Sequence, residues 1–130
     1  MTIGQVAKQA GVGVETIRFY EREGLLNKAK RRQSGYRVFT PEVVSRIRFI
    51  KKAKQLGFSL REIRDLLFLR VDARATPADL KRRVDAKITE IDDRLTDLKR
   101  MRGGLVRLSK VCKGKGPIGE SPLLDLLERM

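Results

Sequence analysis

Ile3-Gly4-Gln5-Val6-Ala7-Lys8-Gln9-Ala10-Gly11-Val12-Gly13-Val14-Glu15-Thr16-Ile17-Arg18-Phe19-Tyr20-Glu21 is the stretch on which the fold turns. Ile3, Val6 and Ala7 recur at helical spacing until Gly11, and after Gly13 the pattern resumes with Val14, Ile17 and Phe19-Tyr20 before Gly24. Two short helices joined by a glycine turn are the minimum helix-turn-helix. The spacing predicts a second helix over roughly Val14 to Glu21 that enters a major groove. It would present Glu15, Thr16, Arg18 and Tyr20 to bases and phosphates while Ile17 anchors the core. A plain helical hairpin with a cationic face is the competing reading of these residues alone.

Outward from this stretch, Lys28, Lys30, Arg31 and Arg32 lead into Gln33-Ser34-Gly35, and Tyr36-Arg37-Val38-Phe39 then alternates as a strand does. A basic arm, a turn and a return strand predict a β-hairpin wing. Along a duplex, Arg31, Arg37 and the Tyr36 hydroxyl would bond phosphate oxygens and fix register without reading sequence. Thr40-Pro41-Glu42 has the form of a helix start, with Thr40 as cap and Pro41 first, and Val44, Ile47, Ile50 and Ala53 carry its buried face. Ser59 to Glu62 forms a capping box, with Phe58 placed to staple onto Ile63. Arg46, Arg48, Lys51, Lys52 and Lys54 form a basic stripe suited to flanking phosphates.

The charge agrees with a polyanionic partner. In 130 residues, 30 are Lys or Arg and 16 are acidic, a formal charge of +14. Residues 1–70 carry 16 basic and 6 acidic side chains, residues 71–130 carry 14 and 10. Cations gathered in the front half favour double-stranded DNA, because each one set beside a phosphate releases condensed counterions. No apolar run approaches the ~20 residues that span a bilayer, and no signal-peptide pattern opens the chain, so a cytoplasmic protein without membrane contact is expected. Histidine is absent and no acid, base and nucleophile can be grouped, which argues against an enzyme.

From Thr76-Pro77-Ala78-Asp79 no proline intervenes until Pro117. Val84, Ile88, Ile91, Leu95, Leu98, Leu105 and Cys112 fall at spacings of four and three, with Arg102 and Ser109 on the same seam. A helix from Pro77 to about Lys110 would be about 50 Å long. Its stripe needs cover, and no second apolar helix of comparable length exists in the chain, so a homodimer is expected. Gly103-Gly104 is expected to interrupt this helix, for close packing or as a flexible point.

Three segments follow: a DNA-binding head over 1–70, a dimerisation helix over 76–111, and a loop with a short C-terminal helix over 112–130. The fold class is mainly α, a winged helix-turn-helix followed by a long helix.

The strings Ile3-Gly4-Gln5-Val6-Ala7, Thr16-Ile17-Arg18-Phe19-Tyr20-Glu21, Gly24-Leu25, Ser34-Gly35-Tyr36-Arg37 and Leu56-Gly57-Phe58-Ser59-Leu60 together resemble the MerR family of bacterial regulators. The resemblance covers the whole chain. It implies an antiparallel coiled-coil dimer on an inverted-repeat operator within an overlong promoter spacer. Effector binding then bends and undertwists the DNA so that RNA polymerase engages both promoter elements. Family DNA contacts carried over by residue fall on Arg18, Tyr20, Arg31, Tyr36 and Arg37. Position 15, a contact lysine in some relatives, is Glu15, which implies a shifted operator preference.

The segment from Val111-Cys112 to Ser121-Pro122 resembles the metal loop of the mercury and copper sensors in that family, where a cysteine at each end supplies a thiolate. Cys112 matches the first position and Ser121 stands at the second; a further position near the head of the long helix falls on Thr76 or Pro77. A hydroxyl is a poor ligand for a soft ion. Three readings stay open: a soft metal ion held through Cys112, a thiol sensor in which Lys113 and Lys115 favour the Cys112 thiolate, and a small apolar residue ending the seam. An effector-independent DNA-bending protein and a coiled-coil adaptor are the alternatives for the chain as a whole.

Overall fold

The computed structural model describes residues 1–27, 30–31, 37–111 and 114–129. It divides into two compact units, Met1–Arg83 and Val84–Met130. The first holds helices α1 (Ile3–Ala10) and α2 (Val14–Arg22), strands β1 (Lys30–Arg31) and β2 (Arg37–Val38), helices α3 (Glu42–Gln55) and α4 (Leu60–Val71), and the start of α5 (Pro77–Val111). The remainder of α5, a 3₁₀ turn over Ile118–Glu120 and helix α6 (Pro122–Arg129) make the second.

Helix α1 starts on a reciprocal cap: Thr2 Oγ1 accepts from the Gln5 N–H at 3.2 Å, and Gln5 Oε1 accepts from the Thr2 N–H at 2.8 Å. It ends at Gly11, whose φ of 70° lets the chain reverse where a side chain would strain. Gly24, at φ 74°, does the same after α2 and returns Leu25 and Leu26 to the interior. Val6, Ile17, Leu25, Ile47, Ile50 and Ile63 are fully buried and form the centre of the core, which α1, α2, α3 and α4 share, with α1 packed on both α2 and α3. Phe58 packs on this cluster beside the capping box of Ser59 and Glu62, as expected.

Strands β1 and β2 pair antiparallel, with Lys30 opposite Val38 and Arg31 opposite Arg37. The expected wing therefore has its two strands; the turn from Arg32 to Tyr36 lies outside the described residues. Beyond β2, Phe39 donates its N–H to the Met1 carbonyl at 2.8 Å and accepts from the Met1 amino group at 2.9 Å.

Helix α3 begins one residue later than its cap pattern predicts. Pro41 occupies the cap with φ −58° and ψ −27°, and the first bonds, Val43 N–H to Thr40 O and Val44 N–H to Pro41 O, span three residues each, so the entry turn is tight. Between α4 and α5, Asp79 accepts from the Thr76 N–H at 2.7 Å and pairs with Arg82, while Arg83 reaches back to Asp65.

In the second unit α5 runs unbroken through Gly103-Gly104, which corrects the expected interruption. The glycines lower helix propensity without removing a backbone donor, so a long ladder carries them. A Cβ at Gly104 would meet nothing within 4 Å. The heptad residues Val84, Ile88, Ile91, Leu95, Leu98 and Leu105 are exposed, from 41 % at Val84 to 65 % at Leu105.

Candidate nucleic-acid interface

Helix α2 has two faces. Ile17, Tyr20 and Glu21 are buried, and Glu15, Arg18 and Arg22, at i, i+3 and i+7, form one stripe in solvent. Thr16 lies between the faces and is partly exposed. The Arg18 guanidinium donates from Nη1 to Glu15 Oε1 at 2.8 Å, and the two side chains remain 50 % and 79 % exposed. Tyr20, expected on the outward face, is only 3 % exposed and corrects that expectation: three residues beyond Ile17, it must share the core-facing stripe. Its ring lies 6.1 Å from that of Phe19, tilted by 51°. Burial pushes the Tyr20 hydroxyl above the usual phenolic range, so it is protonated and can donate at neutral pH.

The α3 stripe behaves otherwise than expected. Arg48 donates to the Gln9 carbonyl at 2.9 Å, Lys51 to the Gly11 carbonyl at 2.9 Å, and Arg46, through Nε, to the Leu25 carbonyl at 3.0 Å. Arg64 of α4 does the same for Glu23, bonding its carbonyl through Nε at 3.0 Å and its carboxylate at 3.2 Å. Carbonyls at and just beyond the C-terminal ends of α1 and α2 carry partial negative charge and lack helical partners, and these cations satisfy them. Arg48 and Lys51 fix the end of α1 and its cap, and Arg46 and Arg64 the chain that follows α2. Lys52 and Lys54 remain exposed on α3. No local sequence signal marks the clamps, because each joins residues 21 to 41 positions apart.

Arg31 and Arg37 are opposite each other in the backbone register of the strand pair, while Tyr36 lies outside the described residues. Cys112 and Lys113 also lie outside them. Ser121 opens α6: its Oγ accepts from the Leu124 N–H at 3.5 Å and its carbonyl from the Asp125 N–H at 3.2 Å. The hydroxyl at the second ligand position thus serves as a helix cap, and Pro77 at the head of α5 offers no donor side chain. One thiol, a capping hydroxyl and a proline do not fit a soft ion that needs two thiolates. Among the described residues no three His, Cys, Asp or Glu side chains gather as metal ligands, and no helix is long and apolar enough to cross a membrane.

A glycine-turned helix pair with a cationic exposed stripe, a strand pair beside it and a long helix with an exposed heptad seam define a DNA-binding transcriptional regulator. Residues 1–68 match the model of the MerR HTH family regulatory proteins, and residues 44–108 that of the MerR DNA-binding region. The chain belongs to the MerR family. It is 35 % identical over 127 residues to the HTH-type transcriptional regulator CueR of Salmonella typhimurium, covering 98 % of this chain and 91 % of that one. To the mercuric resistance operon regulatory protein of Bacillus cereus it is 38 % identical over 125 residues, 96 % and 95 % of the two chains. The crystal structure of a transcription regulator from Ralstonia metallidurans in complex with lead(II) matches with a TM-score of 0.88 at 31 % identity, over 98 % of each chain.

Proposed function

We propose that this chain acts as a homodimer that reads an inverted-repeat operator and distorts promoter DNA in response to an effector. The observation that carries the reading is the exposed Arg18 stripe on α2, with Arg46 and Arg64 bonded to the carbonyls of Leu25 and Glu23 that follow the helix. Thr16 and Arg18 address base edges from this helix. Tyr20 contributes by packing behind this face. Arg31, Tyr36 and Arg37 of the wing bond phosphates and set register.

The head over 1–70 is joined to its copy through 76–111. Each large apolar side chain of the exposed seam contributes about 1.5–3 kcal/mol when fully buried, before the cost of association. An antiparallel pair of such helices holds two reading helices at a fixed separation, near one turn of DNA, ~34 Å. Deforming the DNA between the half-sites lets RNA polymerase use the promoter, and the base steps that bend add specificity where no side chain touches. This makes the chain an activator.

The effector acts at 112–130. A soft metal ion is the reading favoured by relatives named for mercury resistance and solved with lead(II). The donor set of this chain favours the second reading, a thiol response at Cys112, since only one thiolate is at hand. Titrating the purified protein with Cu(I), Hg(II) and Zn(II), beside Ser121→Cys, tests the metal reading: a metal response only in the variant overturns it for this chain.

Arg18→Ala tests the interface itself. Operator affinity by fluorescence anisotropy falls by about ten- to a hundredfold, while sedimentation still reports a dimer. Unchanged affinity overturns the assignment of α2.

A further inference from the structure

We infer that Glu15 determines base specificity: it accepts a hydrogen bond from the N4 amino group of a cytosine in the base pair next to the guanine bound by Arg18. The inference rests on the reading of α2 as the helix that enters the major groove. Glu21 on the same helix is buried and Glu23 beyond it pairs with Arg64, so Glu15 is the acid on the face of α2 that would meet DNA. It stands near the helix N-terminus, the part from which base edges are contacted. Entering a groove lined by phosphates, a carboxylate that is 79 % exposed in the free protein loses water and gains repulsion unless a donor meets it.

The major groove offers two amino donors, cytosine N4 and adenine N6. Adenine sets its N7 acceptor beside N6 and repels a carboxylate; cytosine has no acceptor there. The geometry of the ion pair adds the neighbour. Oε1 of Glu15 holds Nη1 of Arg18 at 2.8 Å, and among the described residues Glu15 Oε2 and the other guanidinium nitrogens of Arg18 have no partner. Arg18 keeps an N–H fork for the O6 and N7 of guanine, and Glu15 keeps an oxygen for an amino group. Residues three apart rise about 4.5 Å along a helix, comparable to the roughly 3.4 Å between stacked base pairs. The two side chains together match a step in which a guanine and an amino-bearing cytosine stand side by side.

The test is selection of duplexes from a library of randomised inverted repeats by the full chain, by Glu15→Gln and by Glu15→Ala, with folding monitored by circular dichroism. The wild-type chain enriches one cytosine next to a guanine in each half-site. Glu15→Gln moves that one position to adenine, which an amide reads through N6 and N7, and Glu15→Ala lowers discrimination there by about tenfold. Other positions keep their preference, and duplexes that lack the cytosine bind more tightly as a negative charge is removed. Identical base preferences in the three proteins overturn the inference, as does a change confined to the guanine, which would make Glu15 a positioning residue for Arg18. No enrichment by the wild-type chain would instead defeat the reading of α2 as a DNA reader.

Discussion

Arg46 on α3 donates from Nε to the carbonyl oxygen of Leu25 across 3.0 Å, so a cation closes the turn that follows α2. Leu25 is fully buried, so water does not reach its carbonyl in place of the guanidinium. Arg46→Ala leaves that acceptor unsatisfied and lowers the stability of the head by about 1–3 kcal/mol. Urea unfolding followed by circular dichroism measures it. An unchanged midpoint would show that the clamp contributes nothing.

The head of α5 has a pH-dependent cap. The Thr76 N–H, donating at 2.7 Å, holds the Asp79 carboxyl below the usual carboxylate range; desolvation opposes this, and the Thr76 hydroxyl, Arg82 and Arg83 reinforce it. A carboxyl depressed in the folded state stabilises fully above its unfolded value and loses that contribution as pH falls through the folded one. Protection of the first-turn amides of α5, measured against the unstructured chain at each pH, therefore falls in acid, below the ordinary carboxylate range, and in Asp79→Asn it is low already at neutral pH. Equal pH profiles for the two proteins would contradict the cap.

Gly104 lies beside the heptad seam and faces open space. Gly104→Ala raises the stability of α5 by about 1 kcal/mol, read as a higher thermal midpoint. A lower midpoint together with weaker self-association would mean that a partner backbone approaches this glycine.

What was legible in the sequence was local. Thr76 with Asp79, the box of Ser59 with Glu62, the Gly11 turn and the bounds of α5 all depend on residues a few positions apart, and each lies where the pattern predicts. Tyr20 was legible too, had its spacing from Ile17 outweighed its chemistry: i and i+3 share a helix face. The clamps of Arg46, Arg48, Lys51 and Arg64 were not. A basic stripe in sequence looks the same whether its cations meet phosphates or carbonyls of distant helix ends, and only packing decides between them.

Two basic reading heads act together only if the apolar seam of α5 joins a second copy. Sedimentation equilibrium of the wild-type chain and of Leu95→Asp, each followed by titration with an inverted-repeat duplex and with a single half-site, measures this directly. The wild-type chain is a dimer that prefers the inverted repeat, and the variant is a monomer that binds both duplexes equally weakly. A wild-type monomer at micromolar concentration, or a variant that keeps its preference for the repeat, would contradict the account.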